Sequence, residues 1–343
     1  MHKFQIVEWI FSAKSGFRQS QGIIEFDPDS NKVLIEPLYV AICGSDLHLL
    51  ENYQGQQLRI GHEWIGRVIE CGDLVKKFKK GDMVTSGALL GCGQCQACRS
   101  ESPQECAKFY ALGSDFDGAL KTKMVIAETF LIKIHNENSK FEILQEILSI
   151  PYNAFELSKS DLEENRGKNF LVIGAGSIGL SIAHELKRRG FEFTLIEQIP
   201  TRIKRASKLG FKCLNLAEAL INDEYKARFD VVIDASGDHL NGLGALKLMN
   251  HFGKFGFFGM CFAKYNRNGS IDYQKYSEKM PKLKFYRGCK TGYFRESVKI
   301  WSNKLKDLYL NLITHEFNFD EVPKAFDVAK DRNLSGKVVI KIK

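Results

Sequence analysis

Residues 23 to 42 and 64 to 90 hold short apolar runs, VLIEPLYVAI and WIGRVIECG among them, broken by Gly, Asp and Pro. Runs of that length between such breakers predict strands and turns, so the first part of the chain reads as mostly β. From Asn169 the period changes. NFLVI predicts a strand, GAGSIG a turn, SIGLSIAHELKRR a helix, FEFTLIE a second strand, and a further helical stretch opens at Pro200. That succession is a βαβ unit. DVVIDASG, the helical HLNGLGALKLMN and the strand KFGFFGM continue the alternation, which predicts one parallel-sheet domain over residues 151–293. The first domain is expected over 1–150, and residues 294–343, ending in GKVVIKIK, return to a strand pattern expected to rejoin it.

A chain of 343 residues is long for one core, and a guide of roughly 150 residues per domain agrees with two. Hydrophobic residues at 44% and charged ones at 26% supply material for sizeable cores and argue against disorder. No stretch of 18 uncharged apolar residues occurs, and the opening MHKFQIVEWIFSAKSGF is not built like a secretory signal. The expected location is the cytoplasm, with no membrane partner. Lys and Arg exceed Asp and Glu by 49 to 41, but the excess is spread over VKKFKKGD, KRRG and RIKRASK. Scattered charge of this kind reads as solvated faces, and without an accompanying basic and aromatic motif no nucleic-acid partner is expected.

The turn GAGSIG brings chemistry into the picture. Gly174, Gly176 and Gly179, with Ser177 and Ile178 between them, follow a predicted strand and open a predicted helix; Glu197 stands eighteen positions on at the end of the next strand. Glycine permits the tight turn and the close approach of backbone to pyrophosphate, the helix N-terminus favours its charge, and the carboxylate can accept the ribose hydroxyls. Glu197 would repel a 2′-phosphate, so NAD is expected over NADP, while Arg202 offers a guanidinium that could pair with that phosphate.

Nine cysteines without a secretory signal point to thiols and metal rather than disulfides. Cys92, Cys95, Cys98 and Cys106 stand in the spacing C-x2-C-x2-C-x7-C. Four thiolates close a tetrahedral zinc shell, so this cluster is expected to clamp a loop and activate nothing. A second constellation lies in AICGSDLHLL and GHEWIGRVI, which supply Cys43, Ser45, Asp46, His48, His62 and Glu63.

With these motifs the chain resembles, over nearly its whole length, the zinc-containing medium-chain dehydrogenases, especially the sorbitol, threonine and glucose dehydrogenase branch. The stretch LITHEFNFDEVPKAFDVAKDRNLSGKVVI also looks like that family's C-terminal return. The resemblance implies an α/β protein, with a GroES-like β catalytic domain and a Rossmann domain whose doubly wound parallel sheet binds NAD. It places Cys43 and His62 on the catalytic zinc ligands, Glu63 on a residue that reaches the metal in some relatives, and the four-cysteine cluster on structural zinc. Ser45 falls on the hydroxyl that takes the alcohol proton, His48 on the imidazole that relays it, and Asp46 on the carboxylate that orients the metal histidine. The implied activity is hydride transfer between a secondary alcohol, polyol or sugar and nicotinamide, in a homo-dimer or homo-tetramer.

One departure stands out. The branch usually carries a Glu or Gln ligand just before a proline that opens the linking helix. In LSIPYNAFEL, Pro151 aligns with that proline and Ile150, which has no donor atom, with the ligand. Glu63, Asn153 or Glu156 would then have to replace it, and the catalytic zinc is expected to be weakly held or absent. Two rival readings follow: a cofactor-binding regulator or scaffold with a degraded metal site, and a zinc-independent, NADP-dependent reductase of the same fold.

Overall fold

The computed structural model describes residues 1–134, 139–237, 248–258 and 282–343. The chain divides into two compact units. Unit 1 comprises Met1–Ile150, Gly288–Asp331 and Ser335–Lys343, and unit 2 comprises Pro151–Arg287 and Arg332–Leu334. Among the described residues no helix is long and apolar enough to cross a membrane.

Unit 1 opens with the hairpin β1 (His2–Ser12) and β2 (Gly16–Phe26). Then come β3 (Lys32–Ile42), helix α1 (Gly44–Asn52), β4 (Glu63–Cys71), β5 (Met83–Ser86), β6 (Leu89–Leu90), the short helix α2 (Gln96–Arg99), β7 (Tyr110–Ala111), β8 (Met124–Ala127) and β9 (Leu131–Lys133). Helix α3 (Gln145–Leu157) crosses the unit boundary. Unit 2 continues with α4 (Lys159–Glu164), β10 (Phe170–Ile173), α5 (Ser177–Arg189), β11 (Phe193–Glu197), α6 (Pro200–Lys208), β12 (Cys213–Asn215), α7 (Leu216–Ile221), β13 (Phe229–Asp234), β14 (Met249–Phe258) and β15 (Lys282–Tyr286). The chain then returns to unit 1 with α8 (Thr291–Trp301), α9 (Leu305–Leu312), β16 (Ile313–Asn318), α10 (Val322–Lys330) and β17 (Lys337–Lys341). Most of the stretch read as the helix HLNGLGALKLMN lies outside the described residues.

The main sheet of unit 1 runs β16-β17-β3-β4-β5-β9, with β8 also paired to β3. Strand β3 is central and mostly buried, so its sequence is apolar at most positions, with Glu36 half-buried between them. Pro37 cannot donate to the ladder, and the register of β3 against β4 shifts between Pro37 and Tyr39. Val33, Ile35, Val40, Trp64, Val68, Phe326 and Ile340 share one core. The last strand, β17, lies beside β3, with Val338 opposite Ile42, so the C-terminal return ends next to the residue that precedes Cys43.

Unit 2 carries a parallel sheet ordered β12-β11-β10-β13-β14-β15. Leu171, Ile173, Ile196 and Val232 fill its core. The strand order reverses at β10, and ligands of such sheets bind beyond the strand ends at that point. Gly190, in the left-handed conformation at φ 77°, ends α5.

The linking helix differs from expectation. It opens at Gln145, and Pro151 lies inside it. The proline therefore does not mark the helix start, and its missing N–H removes the bond to Ile147 within the helix.

Candidate functional site

The residues singled out around Cys43 come together in unit 1. Cys43 caps α1, and its backbone N–H donates to Asp46 Oδ2 at 2.9 Å. The other oxygen of Asp46 lies 3.0 Å from His62 Nδ1, so one buried carboxylate both caps the helix and fixes the ring. His62 follows Gly61, whose φ of +106° is one that L side chains rarely adopt. His62 Nε2 lies 3.4 Å from Ser45 Oγ. Ser45 and His48 are three residues apart on α1, and the His48 ring lies beside Asn52, 3.4 Å from its Nδ2.

Ligand atoms of Cys43, His62 and Glu63 all lie within 4.8 Å of one another. Glu63 is 1% exposed on β4, and Lys337, 3% exposed on β17, donates to its two oxygens at 2.6 and 2.7 Å. The same ammonium donates to the Ile42 carbonyl at 3.3 Å. Burial alone would lower the Lys337 pKa, but Glu63 and Cys43 more than offset it and hold it above the usual lysine value. His62 follows the same logic: burial opposes its charge, yet Asp46 and Cys43 raise its pKa well above that of a free imidazole.

The sequence reading missed Lys337 and a second residue, Glu146. Glu146 is buried on α3, and its carboxyl is pushed up to about 7, first by burial and then by the charge of Glu63, against the pull of His62 and Lys337. It stands four positions before Ile150, one helical turn earlier on the same face. A buried carboxyl is thus present one turn before Ile150. Its signal lay in EILSI, where a Glu precedes the apolar residues of the helix. Ile150 itself is half-buried, and Glu156 is held by Arg189 Nη2 at 2.7 Å.

The four-cysteine cluster is also assembled. Sγ separations are 4.0 Å for Cys92 and Cys98, 3.6 Å for Cys95 and Cys98, and 3.7 Å for Cys95 and Cys106. Sulfurs about 2.3 Å from a zinc at the centre of a tetrahedron would stand about 3.8 Å apart, so the cluster fits that ion. Backbone N–H groups of Cys92 and Lys108 donate to Cys106 Sγ at 3.4 and 3.3 Å, which favours thiolate. The Cys92 thiol is lowered to about 6 by backbone N–H groups of Gln94 and Cys95.

In unit 2 the glycine turn sits between β10 and α5 as its spacing demands. Gly174 has φ +93°, and a Cβ on Gly179 would lie 1.9 Å from the Gly174 carbonyl oxygen. Ser177 and Ile178 begin α5. Glu197 ends β11; its Oε2 accepts from the Ala175 N–H at 2.9 Å and its Oε1 from Gln198 and Ile199 at 2.7 and 3.1 Å. The carboxylate therefore braces the turn. Arg202 Nη1 lies 3.9 Å from Glu197, and 3.4 Å from where a Cβ on Gly176 would stand.

With this geometry the chain can be set beside known proteins. Residues 29–136 match the Alcohol dehydrogenase GroES-like domain, and residues 170–247 match the TrkA-N domain. An L-threonine 3-dehydrogenase from Marinomonas sp. (strain MWYL1) is 29% identical over 335 residues, covering 92% of this chain and 93% of its own. The chain is thus similar over nearly its whole length to an L-threonine 3-dehydrogenase, with a match to the alcohol dehydrogenase GroES-like domain in its first part. Two solved dehydrogenases of the same fold are similar in structure. An alcohol dehydrogenase from Escherichia coli CFT073, solved with NADH, superposes with a TM-score of 0.83 at 22% identity, covering 98% of this chain and 99% of its own. Galactitol-1-phosphate dehydrogenase from Escherichia coli gives 0.84 at 18%, covering 98% of this chain and 100% of its own. The GroES-like domain match falls on the unit that carries Cys43, His62 and Glu63.

Proposed function

We propose that the protein is a zinc-dependent, NAD-linked dehydrogenase of a secondary alcohol, polyol or sugar. The observation that carries this reading is the buried cluster in unit 1. Asp46, Glu63 and Glu146 place three carboxyl groups, and Cys43 a thiol, against the single ammonium of Lys337 and the imidazole of His62. Cys43, His62 and Glu63 offer a sulfur, a nitrogen and an oxygen close together, a donor set that suits a zinc ion. Cys43 Sγ, His62 Nε2 and a Glu63 oxygen would hold a zinc ion, three protein ligands being the number that leaves a fourth position open. Zinc bound there would polarise an alcohol oxygen, and NAD would accept the hydride.

The rest is done by the chain itself. Asp46 keeps the Nδ1 proton of His62, which leaves Nε2 free to ligate. The Ser45 hydroxyl, beside His62, would take the alcohol proton, and His48 on the next turn of α1 would pass it on towards water. In unit 2, Glu197 presents negative charge where a 2′-phosphate would lie, which favours NAD. The relative's substrate, L-threonine, and galactitol 1-phosphate both belong to the alcohol classes named here. The rival reading of a scaffold with a degraded metal site rests on Ile150, and the buried carboxyl of Glu146 one turn earlier on α3 counts against it.

The test is metal content together with turnover. Protein purified without chelator should carry two zinc equivalents per chain and reduce NAD with at least one member of a polyol, sugar and hydroxy-amino-acid panel. A single equivalent, lost on Cys95→Ser and unaffected by Cys43→Ser, would refute the catalytic metal site.

A further inference from the structure

We propose that Lys337 is the resident counter-cation of Glu63: it keeps the metal site formed when no metal is bound and weakens the hold on a divalent ion. The inference rests on the reading of Cys43, His62 and Glu63 as metal ligands. Both groups are buried almost completely, and the three N–H bonds of the ammonium are spent on the two Glu63 oxygens and the Ile42 carbonyl. A buried carboxylate without a partner is strongly disfavoured, so the contact with Lys337 secures Glu63 in its buried position. With Lys337 in place, a ligand oxygen stays within 4.8 Å of Cys43 and His62 ligand atoms.

The same contact works against the metal. Lys337 occupies lone pairs on both carboxylate oxygens and places a positive charge directly behind a ligand of a divalent cation. Its anchor strengthens the case. Val338 pairs with Ile42 across β17 and β3, so the ammonium is fixed by the sheet and cannot withdraw as a surface lysine would. Lys337 is therefore a positioning residue, which acts on the metal only through Glu63.

Full-length chain whose four-cysteine cluster is loaded with zinc would be titrated with cobalt(II) against a competing chelator, and each form without further metal melted in parallel. Lys337→Met should bind cobalt about tenfold more tightly or better, on the scale of changes around metal ligands, and should melt at a lower temperature before cobalt is added. Lys337→Arg, which keeps the charge, should stay near the wild-type affinity. The double variant Glu63→Gln/Lys337→Met should recover the wild-type melting temperature, since both charges are gone, and should bind cobalt more weakly than Lys337→Met alone. Should Lys337→Met not fold without cobalt, Lys337→Arg and the double variant decide the matter. Equal or weaker cobalt binding by folded Lys337→Met overturns the inference, as does Glu63→Gln binding cobalt as tightly as wild type. A wild-type chain that takes up no cobalt beyond the cluster overturns the metal-site reading itself, and this inference with it.

Discussion

Replacing Glu146 with Gln should make the protein without catalytic metal more stable above neutral pH, the opposite of what loss of a structural buried group would do. The Glu146 carboxyl is raised from its ordinary 4.5 to about 7, chiefly by burial. The native chain therefore keeps a proton that the unfolded chain has already released. The stability this proton supplies is full below about pH 4.5 and is lost as pH rises through about 7. At about 1.4 kcal/mol for each tenfold change, the loss amounts to about 3 kcal/mol by pH 8. Gln is neutral at every pH and mimics the protonated form, so the variant escapes the loss. Trp9, Trp64 and Trp301, the three tryptophans of the chain, all belong to unit 1, and their fluorescence reports the unfolding of that unit alone. Urea melts of wild type and Glu146→Gln, with only the four-cysteine cluster loaded, should nearly coincide at pH 5. At pH 8 they should differ by about 1 M or more in midpoint, with the variant ahead. Zinc added to wild type should shrink the difference, because a nearby divalent cation favours the ionised carboxyl. Curves that stay parallel from pH 5 to pH 8 would refute the burial argument.

Other outcomes follow from the same geometry. Cys95→Ser should remove one metal equivalent and lower the thermal midpoint, and an unchanged metal content would remove the zinc assignment of the cluster. NADH should bind more tightly than NADPH by calorimetry, and Glu197→Ala should narrow the gap; tighter NADPH binding by the unmodified protein would refute the cofactor choice. Ile150→Glu should add no metal equivalent, because Glu146 already supplies a carboxyl on that face of α3. A gain of a full equivalent in that variant would mean the site lacks a donor after all.

What could be read from the sequence was local. The strands and turn around Gly174 showed themselves because parallel strands buried on both faces leave continuous apolar runs, and Gly179 is required by a carbonyl five residues away. The cysteine cluster spans fifteen positions, and its thiols, spaced for a metal, do come together. Asp46, His62 and Cys43 were legible through the family's pattern. The two misses have physical causes. Gln145 carries none of the usual capping residues just before it, so the start of α3 was hidden and Pro151 took its place in the alignment. Lys337 sits in a strand beside valines, where a lysine ordinarily reads as solvent-facing, and its partner is 274 positions away. Only the pairing of β17 with β3 brings the two charges together, and no local pattern encodes that.

The order of pieces along the chain bears on how it is born. Residues 151–287 form one uninterrupted run, so unit 2 holds nearly all of its own parts as soon as they leave the ribosome. Unit 1 does not. Synthesis at about 5–20 residues per second means that Glu63 waits about 15–55 s for Lys337 to be made. Cys92 to Cys106 emerge together and can capture zinc early, pinning their loop long before the central sheet receives β17. The nascent protein thus completes its glycine turn before Lys337 is made, and the cluster of Cys43, His62 and Glu63 receives its counter-charge only after unit 2 has emerged.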